Sequence, residues 1–123
     1  MSNAWEPKCW GEVWHLFASD HAAVSHLKLN AGFQCSRHYH EHRVNQFAVL
    51  SGKIAVDEWF GDEVRTIELT PGRFHTVYSL VIHRFRVLES GEIVEVYYPD
   101  NDGQVRINDI VRLDEGGPIE SVC

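Results

Sequence analysis

Regularly spaced turn residues are the feature that most limits the folds open to this chain. Glycine or proline recurs along the sequence, and the runs between these turns are rich in Val, Ile, Phe, Tyr and Trp. Runs of about five to ten such residues between turns are typical of short β-strands. The predicted strands are residues 13–17, 25–29, 45–50, 54–60, 64–69, 74–78, 83–88 and 93–97.

The same pattern predicts an all-β protein, because no segment keeps a helical period of 3.6 for three turns. Short antiparallel strands without crossover helices favour a sandwich or a small barrel, whose interior can hold one small ligand. The 123 residues, 44% hydrophobic and 24% charged, suit one globular domain and exclude a disordered chain. We place this domain at residues 8–115, with polar tails at 1–7 and 116–123.

The charge of the chain limits its partners. Its 18 acidic and 11 basic residues give a net charge of −7, which disfavours nucleic acid and anionic membranes. Glu6, Pro7 and Lys8 stand where a signal peptide would be apolar, and three widely spaced cysteines indicate no disulfide framework. We therefore expect a cytoplasmic protein.

Histidine is the residue type that points to chemistry, since the chain contains eight. His38 and His40 are two positions apart, so on an extended strand both imidazoles project from the same face. Imidazole nitrogen suits several divalent transition metals. The pair therefore predicts half of a metal site.

The residues around this pair resemble the two motifs of the cupin superfamily. Gly32, His38-x-His40, Asn45 and Gly52 match the first motif, and the run from Gly72 to His83 matches the spacing of the second. The resemblance implies a jelly-roll-like, double-stranded antiparallel β-barrel. It also implies one divalent transition metal (Zn, Fe, Ni, Co or Mn). The implied ligands are His38, His40, Asn45 and His83, with Asn45 where the family usually has Glu.

A narrower resemblance is to the C-terminal cupin domain of type II mannose-6-phosphate isomerases. It lies in Lys8-Cys9-Trp10-Gly11, in the run 40–52, in His83-Arg84-Phe85 and in Asp109-Ile110-Val111-Arg112. It implies a metal-dependent isomerase or epimerase acting on a sugar or sugar phosphate. In that reading His42 or metal-bound water moves the proton and Arg43 binds the anion.

Two alternatives remain open for the function. Loss of the acidic ligand at Asn45 favours a cupin that binds or senses a small molecule without turning it over. Iron in a mainly histidine site with open positions would instead favour a dioxygenase. For each of these functions we expect a small-molecule ligand. Because cupins are commonly dimers, we also expect a homodimer.

The other histidines have less specific interpretations. His42 lies beside Arg43 and is either an acid/base group or a solvated turn residue. His75 is a reserve ligand or a wall of the pocket. The remaining three are interpreted as surface or hydrogen-bonded structural residues: His15, His21 and His26.

Overall fold

The computed structural model describes residues 4–100, 104–106 and 108–119, and within them the chain is all-β. In these described ranges, eleven strands form one curled sheet in which every pairing is antiparallel. The all-β antiparallel prediction is confirmed. The strands are β1 (Glu6–Lys8), β2 (Gly11–Ala18), β3 (Ala23–Leu29), β4 (Phe33–Gln34), β5 (His38–Tyr39), β6 (Arg43–Phe60), β7 (Glu63–Leu69), β8 (Phe74–Val77), β9 (Ile82–Pro99), β10 (Val111–Arg112) and β11 (Gly117–Pro118).

The two longest strands, β6 and β9, have 18 residues each and pair along most of their length. Each contains two predicted strands, because the expected turns at their middles are bulges at which the register shifts. A Cβ on Gly52, whose φ is +78°, would lie 2.6 Å from the carbonyl oxygens of Glu89 and Ser90. A Cβ on Gly91 would collide with the backbone of Ser51. Glycine at both positions therefore lets the strands bend while they stay paired.

The remaining strands attach to this pair on both sides. The order β1-β2-β3-β9 continues the sheet from β9, whereas β7 and β8 pair with β6. The short strands β5 and β10 pair with each other near one end of β9. The sheet also includes residues 6 and 7 in β1 and residues 117 and 118 in β11, so it extends into both predicted tails. The domain limits at 8 and 115 stay a prediction.

The hydrophobic core lies on the inner face of the curled sheet. Along β9 burial alternates with a period of two, which turns Phe85, Val87 and Ile93 inward. Phe85 contacts Trp10 and Phe47 edge-on, with ring centroids 5.2 and 6.3 Å apart. His83 lies two residues before Phe85 on the same face, so the core ends directly at this histidine.

The outer face of β6 and β9 carries a buried ion pair. Arg84 and Arg86 both donate through Nε to the carboxylate of Asp57, at 2.9 and 2.7 Å. Thr66 Oγ donates to the same carboxylate at 2.7 Å. Asp57 on the facing strand is only 2% exposed, so its buried carboxylate needs these donors.

No helix in the described part of the chain is long and apolar enough to cross a membrane.

Candidate metal centre

Three buried imidazoles form the candidate metal centre. His38, His40 and His83 each offer one nitrogen, and these three atoms lie within 4.8 Å of one another. The rings are close, with centroids from 4.4 to 5.2 Å apart. None of the three residues is more than 8% exposed. The structure thus brings together three of the four predicted ligands.

The sheet itself sets this convergence. His38 on β5 lies directly opposite His83 on β9 in the antiparallel register. His40 follows two residues after His38, and both are buried while Tyr39 between them is partly exposed. An extended chain gives this alternation, so the three rings enter the barrel from the same side.

Backbone carbonyl groups fix the tautomer of each imidazole. Nδ1 of His38 donates to the carbonyl oxygen of Ser36 at 2.7 Å. The same atom of His40 donates to Asp109 at 2.6 Å, and that of His83 to Val81 at 2.8 Å. A ring nitrogen that faces a carbonyl carries the hydrogen, so each Nε2 keeps its lone pair. Metal-binding histidines usually donate their other ring N–H to a carbonyl or carboxylate in this way.

One of these lone pairs has no partner in the part of the chain that the structure describes. Nε2 of His83 is buried and makes no hydrogen bond to any residue that the structure describes. A buried acceptor without a donor costs free energy, which a bound cation would offset. The donor set of three neutral imidazoles fits a divalent transition metal.

Burial also keeps these imidazoles uncharged. It is the main cause that lowers the pKa of His38 to about 4, that of His83 to about 3 and that of His40 to about 2. The positive charge of Arg43 lowers all three pKa values further. The ligands are therefore deprotonated at neutral pH, the state that metal binding requires.

Metal binding should consequently persist to a lower pH than ordinary histidines allow. With pKa values near 6.5, each ligand would lose roughly tenfold in affinity at pH 5.5 through proton competition. Because the pKa values are lowered, protons compete only near pH 4 and below. We expect the zinc affinity, measured by chelator competition, to differ by less than about threefold between pH 7 and pH 5.5. A fall of a hundredfold or more would contradict the buried, neutral ligand set.

Asn45, the fourth predicted ligand, lies beside the centre but presents its amide nitrogen. Nδ2 is 3.0 Å from Nε2 of His40 and 3.4 Å from Oε2 of Glu95. Both neighbours are acceptors, which assigns the nitrogen rather than the oxygen to this side. Coordination by the Asn45 oxygen stays a prediction, and this geometry does not support it.

A cavity of about 500 Å³ adjoins the centre. Its lining includes His38 from the metal group, together with Arg43, Glu95 and Tyr97. Arg43 is only 6% exposed, and its guanidinium lies 4.1 Å from the centre of the Tyr97 ring. Its Nη1 donates to the carbonyl oxygen of Arg106 at 3.2 Å. The predicted anion-binding cation is therefore held on the wall of the cavity.

His42 is not brought to the centre. Its side chain is 57% exposed and its Nδ1 lies 3.9 Å from Oδ2 of Asp100. Among the described residues that line the cavity, His42 is absent. The backbone explains this position, because the N–H groups of Glu41 and His42 both donate to the Asp109 carboxylate. Its acid/base role stays a prediction without support from the geometry.

The other histidines are engaged elsewhere. His75 pairs with the carboxylate of Glu58 and is not a member of the three-histidine group. His26 hydrogen-bonds Glu92 at 2.8 Å. His15 has a hydrogen-bonded structural position, as predicted, but it also lines the cavity.

Glu95 is the residue that sequence reasoning missed. It is 7% exposed, and burial raises its pKa, while Arg43 and a hydrogen bond from Tyr97 act in the opposite direction. Strand periodicity could have found it, because Glu95 stands between Ile93 and Tyr97 at inward-facing positions. A carboxylate at an inward position of a strand is a signal for a polar site.

Comparisons with known proteins identify the architecture. No protein-family model and no curated protein matches the chain. Oxalate decarboxylase from Bacillus subtilis matches over 89% of this chain, with a TM-score of 0.76 and 17% identity. The fold is a cupin fold. A tryptophan-to-tyrosine variant of that enzyme matches with a TM-score of 0.76 and 18% identity.

The cupin-type barrel fold predicted from the motifs is thus confirmed, and the three-histidine group inside it offers the donor set of a divalent metal site. A further structure of the same Bacillus subtilis enzyme comes from work on its Mn(II) centres, with a TM-score of 0.75 and 17% identity. The chain spans only 29–30% of the length of these enzymes. The narrower resemblance to mannose-6-phosphate isomerases is not confirmed.

Proposed function

We propose that this cupin is a metal-dependent enzyme that acts on a small anionic substrate, with isomerisation or epimerisation of a sugar phosphate as the first candidate. The observation that carries the proposal is the shared cavity wall of His38, a member of the metal group, and the buried cation Arg43. On a chain with net charge −7, a buried arginine beside such a group favours an anionic ligand.

The roles of the residues follow from their positions. A bound divalent metal would polarise a carbonyl or hydroxyl oxygen of the substrate. Arg43 would bind the phosphate or another anionic group, and the stacked Tyr97 ring would hold the guanidinium in place. The core residues Phe47 and Phe85 close the barrel behind His83 and keep water from that side.

Small carboxylates are the second candidate class of substrate. The structural neighbours described above are oxalate decarboxylases, whose name gives a dicarboxylate as substrate. Arg43 would bind a carboxylate by the same charge-assisted hydrogen bonds as a phosphate. A non-catalytic sensing cupin and an iron-dependent dioxygenase remain the alternatives, and the cytoplasmic location and the homodimer stay predictions.

Removal of the Arg43 charge should weaken anion binding selectively. Arg43→Gln keeps most of the side-chain length, and we expect it to weaken sugar-phosphate binding by about 1.5 to 3 kcal/mol, the usual size of a hydrogen bond to a charged group. Metal content and the affinity for the unphosphorylated sugar should stay unchanged. Calorimetry with phosphorylated hexoses and pentoses, the free sugars and oxalate measures this directly.

The matched control is Arg65→Gln, which alters an exposed arginine on β7. Equal affinity of the parent for phosphorylated and free sugars, or an unchanged affinity in Arg43→Gln, would remove phosphate from the proposal. Tight binding of oxalate without binding of any sugar phosphate would favour a carboxylate substrate. Binding without turnover of any compound in the panel would favour the sensing function.

A further inference from the structure

A chain of hydrogen bonds runs from the exposed His15 through buried side chains to the metal group. Nδ1 of His15 lies 2.7 Å from Oγ of Ser25, and Ser25 hydrogen-bonds the hydroxyl of Tyr97. The Tyr97 hydroxyl in turn hydrogen-bonds Glu95. Ser25, Glu95 and Tyr97 are all at most 7% exposed. The hydrogen bond from Tyr97 therefore fixes the position of the Glu95 carboxylate.

The direction of the hydrogen bonds can be read along this chain. A carboxylate accepts only, so Tyr97 donates its hydroxyl hydrogen to Glu95 and accepts from Ser25. Asn45 Nδ2 donates to the same carboxylate over 3.4 Å. It is also 3.0 Å from Nε2 of His40, whose other ring nitrogen donates to Asp109. The Asn45 amide thus faces two acceptors.

Rotation of this amide would be unfavourable. It would place Oδ1 of Asn45 where Nδ2 now lies, against the oxygen of Glu95, and would replace a donor–acceptor contact by an acceptor–acceptor contact. Oδ1 now accepts no hydrogen bond from any residue in the described ranges, and Asn45 is only 1% exposed. The arrangement keeps the N–H₂ group directed at the imidazoles and leaves this buried oxygen without a donor among the described residues.

We propose that Asn45 is a hydrogen-bond donor to an anionic ligand of the metal, that it is not itself a ligand, and that Glu95 is the residue that positions it. The proposal rests on the metal-binding function argued above. It leaves three protein ligands, which is the number found in catalytic zinc sites with an open position. An amide N–H₂ beside that open position selects an oxygen-bearing anion over a neutral group that only donates hydrogen bonds.

The test separates metal binding from anion binding, with Co(II) as the metal and formate as the anion. In Asn45→Ala the Co(II) affinity should stay within about threefold of the parent, and the visible spectrum of the bound Co(II) should be unchanged. The affinity of the Co(II)-loaded protein for formate should fall about tenfold, as expected for the loss of one hydrogen bond to a charged group.

The positioning role of Glu95 is tested by a double-mutant cycle. Leucine accepts no hydrogen bond, so in a Glu95→Leu background the additional effect of Asn45→Ala on formate affinity should shrink to less than about threefold. Glu89→Leu, at an exposed glutamate of the same strand, is the matched control and should preserve the full tenfold effect. Melting temperatures report whether each variant is folded, and Asn45→Ala alone keeps the proposal testable if Glu95→Leu does not fold.

Three outcomes would overturn the proposal. A loss of Co(II) affinity of about thirtyfold or more in Asn45→Ala, or a changed Co(II) spectrum, would show that Asn45 is a ligand, although the metal centre itself would stand. An unchanged formate affinity in Asn45→Ala would show that the amide does not contact the anion. A folded parent protein that binds no Co(II) would overturn both this proposal and the metal-binding function.

Discussion

Replacement of both His40 and His83 by alanine should abolish specific binding of a divalent transition metal. The two imidazoles come from separate parts of the chain, and only the antiparallel sheet brings their nitrogens within 4.8 Å of each other. Loss of residues that merely orient a ligand costs about 10- to 100-fold in affinity. Loss of two of the three ligands should exceed this range, to a loss of about a thousandfold or more in calorimetric or chelator-competition titrations.

His42→Ala provides the matched control for this experiment. His42 is adjacent in sequence but 57% exposed, so its removal should leave the metal affinity unchanged. The double variant also removes two buried imidazoles, and circular dichroism and the melting temperature show whether it stays folded. Full metal occupancy in a folded double variant would place the metal elsewhere on the protein.

Substitution of Asp57 should have the largest effect on stability. Its carboxylate accepts hydrogen bonds from Arg84, Arg86 and Thr66 and is 2% exposed. Asp57→Ala would leave two partly buried guanidinium groups without their shared anion. Breaking a buried pair in this way costs about 3 to 5 kcal/mol, and the exposure of the arginines, about a quarter of each side chain, places the effect near the lower end.

The measurement is thermal or urea unfolding of the Asp57→Ala variant. A loss of about 3 kcal/mol should lower the melting temperature by about 10 °C in a domain of this size. Asp62→Ala, at an exposed residue of the turn between β6 and β7, should change it by no more than about 2 °C. Equal melting temperatures for the two variants would show that the ion pair on the outer face does not stabilise the sheet.

Local patterns in the sequence were sufficient for the strands and for most of the metal centre. The period of two in burial follows from strand geometry, so it predicts that His38 and His40 share a face. Glycine and proline mark where the apolar segments end, which predicts the ends of the strands to within a few residues. The spacing of the cupin motifs selects His83, since nothing local distinguishes it from His75.

The interactions that depend on the pairing of distant strands could not be read from the sequence. Asn45 and Glu95 are 50 positions apart, and their contact exists only because β6 and β9 pair in one register. Asp57 likewise meets Arg84 and Arg86 only across this pair. The local sequence at Gly52 and Gly91 predicts turns where the structure has bulges, because glycine serves both structures.

X-ray absorption at the metal edge of untagged, zinc-loaded protein tests the central claim most directly. Three converging Nε2 atoms predict about one zinc per chain, with three imidazole nitrogens at about 2.0 to 2.1 Å and only light atoms in the remaining coordination. The scattering pattern of imidazole rings distinguishes these ligands from carboxylates and thiolates. Fewer than two imidazoles in the coordination shell, or a sulfur scatterer at about 2.3 Å, would contradict a centre built from His38, His40 and His83.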